Sequence, residues 1–160
     1  MKRFSLFLMS LLFIGLGMFA QKNLNISKVF GGKYVTDPQV SETVMTGDHR
    51  LLRKRNLTTL ATFSGPYDKY AAMLQPLVLK DGQKATGRDV RYKNGKLEYA
   101  FFILPPTTVD GKKVNRYLYY LNNESRKQNG SVILIYFDGT IDRFHAETLI
   151  NSLRKDISVH

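Results

Sequence analysis

Arg50, Arg53, Lys54 and Arg55 form the densest positive run of the chain, within the stretch R-L-L-R-K-R. Arginine offers a forked, permanently charged donor set and lysine a compact point charge, so such a run suits phosphate or carboxylate groups. Read as local structure alone, it is a solvated loop. His145 is the second feature with chemical content, because Asp138, Asp142 and Glu147 are near it in sequence. A histidine among carboxylates can hold a metal or act as an acid–base pair. Position 145 also falls on or beside an apolar helical stripe, which makes it a histidine at the edge of a core. His49 and His160 lie in a loop and at the chain end, without ligand-like partners. The chain contains no G-x-S-x-G elbow, no phosphate-binding glycine loop and no H-E-x-x-H. No catalytic residue, metal site or cofactor is therefore assigned.

Phe137-Asp138-Gly139-Thr140 follows an apolar strand and is similar to the D-x-D-G-T strand end of haloacid-dehalogenase-like phosphatases, where the first aspartate is the nucleophile. Tyr136 occupies that place here, and a tyrosine cannot form the acyl phosphate. Only 20 residues follow Thr140 to supply the later motifs. The stretch is read as a strand, a turn using Asp138, and a helix cap.

The stretch that must organise these groups is Ser131 to Asp142, an apolar strand followed by a turn. Six consecutive apolar residues, Val132 to Phe137, bounded by Asn129-Gly130 and Asp138-Gly139, predict a central strand covered on both faces. Ahead of it, Asn25 to Tyr34 reads as a short helix ending at Gly31-Gly32, and Ser41 to Thr46 as an edge strand. Leu57 to Phe63 reads as a β-branched strand, followed by a helix opening at Pro66 that Pro76 kinks or divides before Leu79. Lys80 to Gly87 reads as a loop. Asn94-Gly95 between Asp89–Lys93 and Lys96–Leu104 is a strong hairpin signal, because both residues tolerate positive φ. Pro105-Pro106 is expected to end the second arm and Thr107 to Lys113 to form a loop. Val114 to Leu121 is a tyrosine-rich strand and Asn122 to Gly130 a polar turn. Ile141 to Arg154 closes the chain as a helix with Thr140 as N-cap and Ile141, Phe144, His145, Leu149, Ile150 and Leu153 on one face. The fold class is α+β: a mainly antiparallel sheet of about five to six strands with about three helices packed on it.

Lys96 to Leu104 and Val114 to Leu121 carry apolar residues on both faces. Both sides of the sheet therefore need cover. Three short helices can supply it, or they can leave an aromatic surface including Tyr117 and Tyr119 open to a ligand, a partner or a second copy of the chain.

Met1-Lys2-Arg3, an apolar run from Phe4 to Ala20 and then Gln21 predict a signal peptide, residues 1–20, cleaved after Ala20. The run is shorter than the ~20 apolar residues of a spanning helix. The chain has 0 cysteines, which excludes disulfides and a lipoprotein anchor. Residues 21–160 are long enough for one domain stabilised by packing alone. Losing Lys2 and Arg3 from 24 basic residues leaves 22 against 13 acidic ones, formally +9. That balance favours polyanions, and export points to anionic lipid or acidic polysaccharide rather than nucleic acid.

Lys28-Val29-Phe30 with Lys33-Tyr34, Phe102-Ile103-Leu104-Pro105-Pro106, Arg116-Tyr117-Leu118 and the strand Val132 to Gly139 together resemble a family of small exported Bacteroidetes proteins of unknown function. The resemblance implies a periplasmic or secreted location and offers no catalytic residue. The expected function is thus a non-enzymatic binding or interaction domain, using Arg50, Arg53, Lys54 and Arg55 or the face with Tyr117 and Tyr119. The alternatives are a hydrolase of envelope material and a self-associating structural subunit.

Overall fold

The computed structural model describes residues 23–123 and 130–157. The expected signal peptide, most of the turn between Asn122 and Gly130, and His160 lie outside the described residues. Six strands form one antiparallel sheet: β1 (Ser41–Thr46), β2 (Leu57–Pro66), β3 (Gly87–Lys93), β4 (Lys96–Val109), β5 (Lys112–Asn123) and β6 (Ser131–Gly139). Their order is β1-β2-β6-β5-β4-β3, so the last strand enters between β2 and β5. This position follows from its composition, since a strand apolar on both sides is stable only where both sides are covered.

Three helices join the strands: α1 (Arg50–Arg53), α2 (Tyr67–Gly82) and α3 (Arg143–Ile157). A 3-10 turn, Asn25–Lys28, stands where a longer first helix was expected. It packs with α2 on one face of the sheet, over Phe63, Phe102, Leu118, Leu134 and Tyr136. The opposite face, carrying Leu60, Phe101, Tyr117, Tyr119, Ile135 and Phe137, is covered by α1 through Leu52 and by α3 through Ala146, Leu149 and Ile150. Both faces are thus covered from within the chain.

Several boundaries differ from expectation for identifiable reasons. The helix α2 continues through Pro76 to Gly82, and Pro76 and Ala72 are both exposed, so the carbonyl that loses its amide partner faces solvent. Pro105-Pro106 does not end β4. Leu104 pairs with Arg116 and Thr107 with Val114, so the two prolines bulge opposite Asn115, and Arg116 Nε donates to Pro105 O at 2.7 Å. A bulge tolerates proline because it removes no ladder bond there. The strand then reaches a tight turn at Asp110-Gly111, with φ of 49° and 75°, nearly matching Asn94-Gly95 at 52° and 75°. Thr107 to Lys113 is therefore a hairpin end rather than a loop.

Candidate functional site

The site is the end of the sheet where β6 finishes, and its anchor is the backbone of Ile141. Leu57 at the start of β2 and Asn115 in β5 both pair with Gly139. Ile141 N then donates to Asn56 O at 3.3 Å, while Ile141 O accepts from Asn115 Nδ2 at 3.2 Å and from the buried Tyr117 hydroxyl at 2.9 Å. One residue thus ties together the turn after α1, the strand β5 and the approach to α3.

Three cationic segments project from this junction. Arg50, Arg53, Lys54 and Arg55 occupy α1 and its following turn, Lys112 and Lys113 the β4–β5 hairpin end, and Arg143 the first turn of α3; all seven are exposed. In α1 the His49 side chain caps the helix by accepting from Leu51 N at 3.3 Å, and Leu52 anchors it in the core, so its charged residues face outward. Arg53 pairs with Asp48 at 3.1 Å and Arg143 with Glu147 at 2.9 Å. Among the described residues, Arg50, Lys54, Arg55, Lys112 and Lys113 make no ion pair.

Of the six residues expected to bind, the structure brings Arg50, Arg53, Lys54 and Arg55 together on this surface and places Tyr117 and Tyr119 elsewhere. Tyr117 is 2% exposed and Tyr119 1%. The Tyr117 ring stacks on Phe137 at 5.1 Å, and Tyr119 meets Tyr99 edge-on at 5.5 Å. Both rings belong to the core beneath α3 rather than to an open aromatic face, because the sheet needs cover there. Lys112, Lys113 and Arg143 were not picked out from sequence. The signal present was Asp110-Gly111, a hairpin turn followed by two lysines.

His145 is exposed rather than at a core edge. The buried side of α3 centres on Ala146, and both Phe144 and His145 fall outside it. Asp142, not Thr140, caps the helix: its Oδ1 accepts from His145 N at 2.9 Å and lies 2.8 Å from His145 Nδ1. The backbone and ring of His145 hold the Asp142 carboxyl below the usual carboxylate range. This pair is a surface cap. Among the described residues no group of three or more histidine, aspartate and glutamate side chains could hold a metal ion.

Asp138 is not used by a turn either. It is fully buried in β6, and Tyr136 donates its hydroxyl to Asp138 Oδ2 at 2.8 Å. Arg116 and Thr59 are its cross-strand neighbours. Burial, the largest cause in each case, pushes both the Asp138 carboxyl and the Tyr136 hydroxyl up. A buried phenol that resists ionisation is no nucleophile at neutral pH, so this pair is a structural polar contact.

Two carboxyl groups predict opposite pH effects. Asp37 accepts from Lys69 Nζ and from the Tyr70 hydroxyl, both at 2.6 Å, and these bonds, Lys69 first, lower it from 3.8 to about 2. Its stabilising contribution is complete above 3.8 and is lost as pH falls toward 2. Asp138 is raised from 3.8, so its contribution is complete below that value and is lost as pH rises through its folded value. Denaturant midpoints measured from strongly acid to neutral pH are expected to lose the lower slope in Asp37→Asn and the upper slope in Asp138→Asn. An unchanged profile in either variant would rule out that assignment.

No curated protein and no solved structure matches the chain. A family described only as being of unknown function, DUF6108, matches residues 13–150, most of the sequence. The chain therefore belongs to the DUF6108 family of unknown function.

Proposed function

We propose that this domain is a non-enzymatic binding module that takes anionic groups on the basic end built from α1, the β4–β5 hairpin and the start of α3. The observation that carries this reading is the convergence of three sequence-distant cationic segments on one junction, with five of their cations making no ion pair among the described residues. A protein field of one sign concentrates anions and speeds their encounter. Tyr136 and Asp138 are buried, with the Tyr136 hydroxyl donating to Asp138 Oδ2, so neither is presented at the basic surface, which supports binding there. The apolar run from Phe4 to Ala20 supports an exported setting, where nucleic acid is not the partner.

The test is equilibrium binding to a soluble acidic polysaccharide and to anionic vesicles at low and moderate salt. Wild type is expected to bind both more weakly at 0.1 M salt, where exposed charges are screened within ~10 Å. Replacing Arg50, Arg53, Lys54 and Arg55 together by serine is expected to lower affinity about fourfold or more, from four exposed contacts at ~0.2–1 kcal/mol each. Absence of salt-sensitive binding by wild type to either anion would overturn the reading.

A further inference from the structure

We infer that the anionic partner of this end is a lipid bilayer surface, with Leu51 and Phe144 entering it between headgroups that the cations hold. This rests on the anion-binding reading above and specifies its partner. Leu51 is 55% exposed and sits between Arg50 and Leu52, with Arg53 one residue further on. Phe144, 73% exposed, lies beside Arg143 on the side of α3 opposite Ala146, Leu149 and Ile150. The hydrogen bond from Ile141 N to Asn56 O places the start of α3 against the turn that follows α1, so both apolar side chains belong to the cationic end.

A soluble acidic polysaccharide gains nothing from an exposed leucine or phenylalanine. A bilayer interface uses both components: its phosphates take the cations, and the boundary with the acyl chains takes the apolar side chains. Long lysine and arginine stems extend from such a boundary to the headgroups. Apart from the buried Asp138, the carboxylates carried by these segments are Asp48, Asp110, Asp142 and Glu147, all of them exposed. Asp48 is held by Arg53 and Glu147 by Arg143, while Asp142 bonds the His145 ring, which carries a charge only when protonated. Among the described residues the cations without an ion pair, Arg50, Lys54, Arg55, Lys112 and Lys113, therefore still outnumber Asp110 and Asp142.

The chain contains 0 tryptophans, so a Phe144→Trp variant carries a single reporter. With vesicles of equimolar phosphatidylglycerol and phosphatidylcholine its emission is expected to shift to the blue and to be quenched by brominated acyl chains. Heparin is expected to cause neither change. A Leu51→Ser, Phe144→Ser double variant is expected to bind heparin like wild type and these vesicles at least about tenfold more weakly, the loss of partial burial of two large apolar side chains. Both positions are exposed, so circular dichroism is expected to show an unaltered fold. Wild type that binds heparin but not vesicles, or a double variant that binds vesicles undiminished, would overturn the bilayer inference while leaving anion binding intact. Failure of wild type to bind either probe would overturn both.

Discussion

Replacing Gly139 by alanine is expected to destabilise the domain by at least ~3 kcal/mol, at or above the upper end of ordinary overpacking. Gly139 closes β6 directly over the start of β2, where the pairing slips between Leu57 and Thr59. A Cβ there would run into the backbone oxygen of Asn56, and would stand 2.7 Å from Leu57 Cα and 3.0 Å from Asn56 C. These are main-chain atoms of the turn after α1 and of the first residue of β2, and they cannot swing aside as a side chain would. The φ of 157° adds a conformation that side-chain-bearing residues rarely adopt. Because Asn56 O also receives Ile141 N, relief of the clash must separate the turn after α1 from the start of α3. Anion binding should therefore fall along with stability. Gly111→Ala is the control: its φ is 75° but nothing lies within 4 Å of the added Cβ, so it should cost only ~1–2 kcal/mol. Denaturant midpoints that rank the two variants equally would show that close approach at Gly139 is not the determinant.

The second large effect is expected at Asp81, which is buried near the end of α2. Its Oδ1 accepts from Asn25 N and Asn25 Nδ2, both at 2.7 Å, and its Oδ2 from Ile26 N at 2.9 Å. One carboxylate thus holds the start of the 3-10 turn whose neighbours Ile26, Val29 and Phe30 are buried against the sheet. Asp81→Ala leaves the buried Ile26 N and the partly buried Asn25 N and Nδ2 without this acceptor, and hydrogen bonds to a charged group are worth ~1.5–3 kcal/mol each, so a loss of about 3 kcal/mol is expected. Asp81→Asn should recover part of this through its remaining oxygen, while its amide opposes one of the donors. Hydrogen exchange should show early loss of protection at Ile26 and Val29 in both variants. A midpoint within ~1 kcal/mol of wild type for Asp81→Ala would mean that the apolar contacts alone hold the segment.

Asp81 also shows why some boundaries were hidden in the sequence. Lys80 to Gly87 has the composition of a loop, yet Asp81 and Gly82 are buried helical residues, Asp81 because it serves a segment 55 and 56 positions away. No local pattern announces such a partner. The hairpin end at Asp110-Gly111 was different, since the same positive-φ chemistry that marks Asn94-Gly95 was present there. Pro105-Pro106 obscured it, because proline normally stops a strand and only the register with β5 shows the bulge that accommodates it. The closing helix was legible as a helix but not in its orientation. Phe144 and Leu149 are both apolar, and packing on the sheet selects the side centred on Ala146.

The α+β class, the antiparallel sheet, the central place of Val132 to Phe137 and the Asn94-Gly95 hairpin were legible before folding is considered, because each rests on local pattern or backbone chemistry. Arg50 to Arg55 stood out likewise as the strongest charge run. Tyr117 and Tyr119 become core, and Lys112, Lys113 and Arg143 join that run at one end, through the assembly of the strands. Those outcomes depend on strand order and on the contacts of Ile141, which link residues far apart in the chain, and no spacing within a single segment encodes them.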